Sequence, residues 1–120
     1  MLVNISNHPS KGWSQGQIEA ARREYGEVVD YPFPMVSPSA TGEEVLKMAE
    51  ETLKRALEMV DDEKVTLHVM GEMTLTMAIV QMARRRGLTC VASTSERVVE
   101  EGPDGQKVSY FNFVRFREYV

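Results

Sequence analysis

Two polar segments of the sequence carry residue types suited to acid–base chemistry on an anionic ligand. One is the run Ser-Asn-His-Pro-Ser-Lys at 6–11 and the other is Gly-Glu-Met-Thr at 71–74, and each directly follows an apolar run. His8 titrates near neutral pH, so it can act as a general acid or base or donate a hydrogen bond to a phosphate. Glu72 can hold a sugar hydroxyl, a cation or a proton in transfer. These two residues are the candidate catalytic pair.

Each residue of these segments also has a structural interpretation, and the sequence leaves both open. His8 is either a functional group or a loop histidine bonded to nearby backbone. A carboxylate at Glu72 is favoured beside a helix N-terminus, although there it repels a phosphate. Thr74 either caps the helix or donates its hydroxyl to a phosphate. Gly71 lets the backbone approach a ligand closely.

Further hydroxyl, amide and cationic side chains lie beside the two segments or at the predicted end of the fourth strand. Hydroxyls together with a guanidinium suit phosphate or ribose, and the alternative is a strand that becomes polar as it surfaces. His68 lies inside an apolar run and is interpreted as a hydrogen-bonded core histidine. The predicted ligand-binding residues are Asn7, Ser10, Lys11, Gly71, Thr74, Ser93, Thr94, Ser95 and Arg97.

Apolar periodicity and capping signals predict the elements that position these residues. The predicted strands are 2–5, 27–30, 65–70 and 88–92, followed by a hairpin of 97–101 with 107–117 around the turn Pro103-Asp104-Gly105. The predicted helices are 15–25, the segment from Thr41 to about residue 59, and 75–86. The three prolines at 32, 34 and 38 exclude a central strand between residues 31 and 38.

This order of elements predicts an α/β fold. We expect one domain with a mostly parallel sheet flanked by helices on both faces and a C-terminal antiparallel β-hairpin. Ligands of open parallel sheets bind beyond the carboxyl ends of the strands, where the strand order reverses. His8 and Glu72 follow the first and third strands, so we expect them to share that edge of the sheet.

Composition excludes several classes of function. The formal net charge is −4, which argues against broad binding to DNA or RNA because such binding needs a basic face. Cys90 is the single cysteine and is expected to be a buried, inert thiol. No Cys/His cluster has metal-ligand spacing, so we expect no metal and no cofactor. No apolar run approaches the roughly 18 residues of a membrane span, and a cytoplasmic protein is expected.

The run Ser6-Asn7-His8-Pro9-Ser10 after a strand, and Met70-Gly71-Glu72-Met73-Thr74 opening a helix, resemble the minimal Rossmann-like CARF proteins of CRISPR systems. That group includes the small stand-alone ring nucleases of type III systems. The resemblance covers most of the chain by topology and about fifteen residues by motif. Glu72 departs from the family pattern, which more often has a small or hydroxyl residue at this point of the turn.

The resemblance implies a homodimer that binds and cleaves a cyclic oligoadenylate without a metal, leaving a 2′,3′-cyclic phosphate. In that role His8 is the general acid or stabilises developing charge, and Glu72 orients or deprotonates the 2′-hydroxyl. Two alternatives stay open. One is a non-catalytic nucleotide sensor or protein-interaction module that pairs through the hairpin edge. The other is an enzyme similar to nucleoside deoxyribosyltransferases, with Glu72 as the nucleophile.

Overall fold

The computed structural model of the protein describes residues 1–61 and 64–120. Its strands are β1 (Leu2–Ser6), β2 (Val28–Pro32), β3 (Thr66–Met70), β4 (Thr89–Glu101) and β5 (Lys107–Glu118). Its helices are α1 (Gln15–Tyr25), α2 (Gly42–Glu58) and α3 (Met73–Arg85), with a 3-10 turn at Ser10–Gly12. The predicted α/β fold, with a mostly parallel sheet and a C-terminal antiparallel hairpin, is confirmed.

The strands form one sheet in the order β2-β1-β3-β4-β5. β1 pairs in parallel with both β2 and β3, β3 pairs in parallel with β4, and β5 is antiparallel to β4. The chain leaves β1 towards one edge and returns to β3 on its other side, so the strand order reverses between these two strands. Ser6 and Met70 are paired residues at their carboxyl ends. The loops that carry His8 and Glu72 therefore leave neighbouring positions of the sheet.

Helices cover both faces of the sheet. Val3 and Ile5 belong to a core with α2 and α3, whereas Leu2 belongs to a smaller core with α1 and Phe116. Alternate residues of a strand point to opposite faces, so Asn4 and Ser6 share the α1 face with Leu2. The α1 face therefore carries polar side chains at the carboxyl end of β1, where the opposite face stays apolar.

Helix starts follow the capping chemistry in the sequence. The Ser14 hydroxyl accepts a hydrogen bond from Gln17 N, and the Thr41 hydroxyl accepts one from Glu44 N. Each bond satisfies a backbone donor that the first helical turn leaves unpaired, which fixes where α1 and α2 begin. The predicted helix 15–25 is confirmed at both ends. Within the described ranges, no helix combines the length and the apolar composition that a bilayer crossing requires.

β4 is longer than the sequence patterns predicted. The expected break at Ser93–Arg97 is wrong, because β4 continues through this segment and pairs with β5 as far as Glu101. A bulge between Thr94 and Ser95 shifts the register of the pair. Beyond that bulge, 95–101 and 107–113 form a two-stranded ribbon, which we call the arm. Pairing with β5 satisfies the backbone, so polar side chains here do not end the strand.

Candidate functional site

The loop after β1 presents His8 on a fixed backbone. The His8 carbonyl oxygen accepts hydrogen bonds from Asn4 Nδ2 at 2.9 Å, Ser6 Oγ at 3.1 Å and Trp13 Nε1 at 3.0 Å. The His8 N–H also donates to Ser6 Oγ at 3.1 Å. The side chain of His8 itself is exposed. A rigid backbone with an exposed imidazole is the arrangement that a positioned general acid or phosphate donor needs.

Glu72 is the N-cap of α3. Its Oε1 accepts a hydrogen bond from Thr74 N at 3.1 Å, and its Oε2 accepts from Leu75 N at 2.8 Å and from Thr74 Oγ1 at 2.6 Å. The bond from the Thr74 hydroxyl, followed by those from the two backbone amides, lowers the pKa of Glu72 below its ordinary value. These carboxylate oxygens therefore occupy the position that an anion would take at this helix start.

This cap corrects two expectations. The cap of α3 is Glu72 and not Thr74, so the helix begins at Met73 and not at Leu75. The amides of Thr74 and Leu75 both donate to Glu72, so neither is available to a phosphate. The physical reason is proximity, because a side chain one residue before the helix reaches these amides without any cost of association.

Gly71 is required by a neighbouring side chain. A Cβ at this position would lie 2.5 Å from ring carbons of Phe33, a separation that van der Waals contact does not allow. Phe33 follows β2, is buried, and donates its backbone N–H to Ser6 O at 3.3 Å. The close approach expected at Gly71 is therefore made by Phe33, which packs over the carboxyl ends of β1 and β3.

A row of polar side chains crosses the α1 face from β2 to β3. Asn4 is 1% exposed and donates Nδ2 to Asp30 Oδ1 at 2.8 Å, while its Oδ1 accepts from Ser6 Oγ and faces His68 Nδ1, both at 2.8 Å. Burial acts to raise the pKa of Asp30, but the bonds from Asn4 and from the Ser10 hydroxyl and amide outweigh it, with help from the charge of Lys11. The pKa of Asp30 is therefore lowered.

His68 continues this row towards β4. It is 2% exposed, and Trp13 packs edge-on against its ring with centroids 5.3 Å apart. Burial, with a smaller contribution from the charge of His8, lowers the pKa of His68 from 6.5 to about 4. The interpretation of His68 as a hydrogen-bonded core histidine is confirmed. Its Nε2 also lies 3.0 Å from Ser93 Oγ, so the row ends at a partly exposed hydroxyl.

An apolar cavity of about 640 Å³ opens beside the start of α3. Thr76 contributes a buried hydroxyl to its wall, and that hydroxyl has no hydrogen-bond partner among the described residues. Tyr119 closes one side and donates its hydroxyl to Val69 O at 2.6 Å. The residues that line the cavity are Met70, Gly71, Met73, Thr74, Thr76, Met77 and Tyr119. Flexible methionines around an open cavity suit an apolar ligand group of variable shape.

Comparison with models of known protein families identifies the family of this chain. The model of a family described as the uncharacterized protein MJ1673 family matches residues 1–117. The chain belongs to the MJ1673 family. No curated protein and no solved structure matches it. The match extends from β1 into β5. The elements that carry the candidate site in this MJ1673 family member therefore lie within the matched region.

In this MJ1673 family member, the predicted site residues divide into two groups. One lies at the carboxyl ends of β1 and β3 and beside them on β4, and its members are Asn7, His8, Ser10, Lys11, Gly71, Glu72, Thr74 and Ser93. The second lies further along β4, where the Thr94 hydroxyl donates to Arg115 O at 3.1 Å and Arg97 Nε donates to Ser109 Oγ at 3.0 Å. Ser95 is exposed at the base of the arm. Ligand contact by all of these residues stays a prediction.

Three residues of the site were not identified by sequence patterns as functional. Asn4, Asp30 and His68 join the loop after β1 to Ser93, and each is an isolated polar residue in a strand. The available signal for Asn4 and His68 was their placement, because a polar residue at an inward position of a strand needs a partner, whereas Asp30 is exposed and gave no such signal. Within residues 1–61 and 64–120, no three His, Cys, Asp or Glu side chains come together as a metal site.

Proposed function

We propose that this protein binds a cyclic oligoadenylate at the carboxyl ends of β1 and β3 and cleaves it without a metal, as the resemblance to type III CRISPR ring nucleases implies. The observation that carries the proposal is the pairing of Ser6 with Met70, because it brings the His8 and Glu72 loops together where the strand order reverses. The exposed amide of Asn7 and the exposed ammonium of Lys11 on the first loop suit phosphate and ribose.

The geometry favours distinct roles for the two candidate catalytic residues. His8 combines an exposed imidazole with a fixed backbone, which suits a general acid that protonates the leaving 5′-oxygen. Glu72 already accepts three hydrogen bonds, so it is a poor base and a poor nucleophile. In the proposal it orients the 2′-hydroxyl and holds α3. The same three bonds argue against the deoxyribosyltransferase-like alternative, which needs a free carboxylate at this position.

Phosphate contacts in the proposal come from the loop after β1 and not from the start of α3. Lys11 lies in the 3-10 turn at Ser10–Gly12, and it is exposed. Its charge also contributes to the lowered pKa of Asp30, a member of the polar row. The ammonium of Lys11 attracts a phosphate and offsets the charge of Asp30, whereas the carboxylate of Glu72 would repel a phosphate. The ligand is thus expected to lie towards the α1 face of the site.

The first prediction concerns cleavage of cyclic tetra- and hexa-adenylate by the purified protein. The wild type should convert one of these rings to linear products ending in a 2′,3′-cyclic phosphate, separated by chromatography. His8→Ala should reduce the rate at least tenfold and leave the affinity within a factor of about three, because it removes proton transfer and not phosphate binding. Lys11→Ala should weaken binding, whereas Lys47→Ala, an exposed lysine on α2, should not.

These assays separate the possible outcomes. Turnover that persists in His8→Ala contradicts the role of His8 but keeps the function. Binding without turnover would mean that the protein is a non-catalytic sensor and not a nuclease. Absence of both binding and turnover for either ring would reject the proposed function.

A second candidate function, protein interaction, is favoured by the arm. Phe111 is 74% exposed, and the arm also exposes Val99, Val108 and Tyr110. A two-stranded ribbon alone is marginally stable in water, so exposed apolar residues on it indicate that another surface covers them. We infer that this surface is the arm of a second copy, because a two-fold pair would bury Phe111 and Val99, which share one face of the arm, from both copies in a single interface. This homodimer would also present the candidate site twice.

The second prediction tests this pairing. Wild-type protein should sediment as a dimer at micromolar concentration, and Phe111→Glu should sediment as a monomer because the change buries an unpaired charge in the interface. Gln106→Glu adds the same charge in the turn between the two strands of the arm and should remain dimeric. A wild-type monomer, or a dimer that Phe111→Glu leaves intact, would exclude the arm as the interface.

A further inference from the structure

Ser93, His68 and Asn4 form a hydrogen-bonded chain across three adjacent strands on the α1 face. Ser93 Oγ lies 3.0 Å from His68 Nε2, and His68 Nδ1 lies 2.8 Å from Asn4 Oδ1. Asn4 is in turn bonded to Asp30. A hydroxyl within hydrogen-bond distance of an imidazole that a third group orients is the arrangement of an activated nucleophile.

The network fixes where the protons lie. Asn4 Nδ2 points to two acceptors, the His8 carbonyl and the Asp30 carboxylate, so Asn4 Oδ1 must be the atom that faces His68. That oxygen can only accept, so His68 carries its proton on Nδ1 when neutral. Burial lowers the pKa of His68 to about 4, which keeps the ring neutral at physiological pH. The Nε2 lone pair is therefore available to accept the Ser93 hydroxyl proton.

A donor and a cavity complete the arrangement around Ser93. The Ser93 N–H donates to Met70 Sδ at 3.2 Å, and the Ser93 hydroxyl also donates to this sulfur, at 3.1 Å. A thioether is a weak acceptor, so a ligand oxygen can replace it at the N–H with a gain in hydrogen-bond strength. Met70 lies at the surface and forms a wall of the apolar cavity beside α3. Movement of one flexible side chain thus joins Ser93 to that cavity.

We propose that Ser93 is a nucleophile that takes the acyl group of carboxylic esters with an apolar chain, with His68 as its base and Asn4 as the residue that positions His68. Ser93 Oγ forms a bond to the ester carbonyl carbon while its proton passes to His68 Nε2, and the Ser93 N–H stabilises the oxyanion. The ester C–O bond then breaks, and the leaving alcohol takes the proton from His68. Water attacks the acyl group by the same route and restores Ser93. The acyl chain occupies the methionine-lined cavity.

This activity shares Ser93 with the predicted nucleotide-binding residues but otherwise uses different groups. It uses the α1 face of β3 and β4 and the cavity beside α3, and it requires neither the imidazole of His8 nor the ammonium of Lys11. A failure to bind cyclic oligoadenylates would therefore leave this proposal in place, and the converse also holds.

The experiment uses p-nitrophenyl hexanoate and p-nitrophenyl acetate with the full chain. We expect a burst of p-nitrophenol, an acyl adduct that peptide mapping by mass spectrometry places on Ser93, and at least tenfold faster acylation by the hexanoate. Ser93→Ala should abolish the adduct, and His68→Gln should slow acylation at least tenfold. Ser39→Ala, an exposed serine in the loop before α2, should match the wild type.

Two outcomes would overturn the proposal. One is an adduct that maps to residues other than Ser93, and the other is acylation that His68→Gln does not slow while circular dichroism shows that the variant is folded. The adduct map is made on the wild type, so it stays decisive even if a variant fails to fold.

Discussion

Replacing Asn4 with leucine should lower the free energy of unfolding by roughly 3 to 5 kcal/mol, measured by urea denaturation at neutral pH. Leucine fits the volume but has no polar atom. The Asn4 side chain uses both of its amide hydrogens and both acceptor positions of its oxygen, with His8, Asp30, Ser6 and His68 as partners. Ser6 and His68 are the buried partners, and each buried group that loses its partner costs about 1–3 kcal/mol, so these two losses add.

Asn7→Leu is the matched control for this change. It makes the same substitution three residues further along, where the side chain is exposed, and should change the free energy of unfolding by less than about 0.5 kcal/mol. Two variants with equal stability would mean that the polar row is not required for the fold. A loss in Asn4→Leu that is accompanied by a lower denaturant slope would instead point to a changed denatured state.

Local signals in the sequence predicted most of the fold. The helix 15–25 was predicted at both ends because Ser14 and Gly26 mark its start and stop within a few residues of the chain. The parallel strands followed from short apolar runs separated by helices of sufficient length to cross over. Such features depend on neighbours in sequence, so one chain is enough to predict them.

The extent of β4 was also available from the sequence, although the polar run at Ser93–Arg97 suggested an end. Between Leu88 and Glu101 the sequence contains no Gly, Pro, Asn or Asp, the residues that usually end a strand. Polar residues are compatible with a strand whose faces are both solvated, as they are on the arm. The absence of turn-forming residues predicts one long strand if it is given more weight than the polar side chains.

The chemistry of the candidate site could be predicted only in part. His8 and Glu72 were placed at neighbouring strand ends by the expected topology, and the register of Ser6 with Met70 agrees. The bonds of Asn4 to Asp30 and His68 join residues 26 and 64 positions apart, and they depend on the register of three strands. A single sequence does not contain that register, so only His68 was interpreted from the sequence, and the network that joins it to Asn4 and Asp30 was not predicted.

Lowering the pH from 7.5 to 5.0 should reduce the free energy of unfolding by about 2 kcal/mol through His68 alone. The folded chain holds the pKa of His68 at about 4, whereas an unperturbed histidine has a pKa of 6.5. Between these values the unfolded chain binds a proton that the folded chain does not, so stability falls as the pH falls. Above pH 6.5 both states leave the ring neutral, and this contribution to the pH dependence disappears.

The comparison that isolates His68 is between the wild type and His68→Gln, with urea denaturation at half-unit intervals of pH. Glutamine lowers stability at every pH but does not titrate, so its profile should lack the decline between pH 6.5 and 5.0. His8→Ala removes an exposed histidine and should keep that decline, since burial is the larger cause of the His68 shift. Asp30 keeps its charge across this range because its pKa is lowered, so it does not obscure the effect. Parallel profiles for the wild type and His68→Gln would mean that the pKa of His68 is the same in the folded and the unfolded chain, so that burial does not lower it.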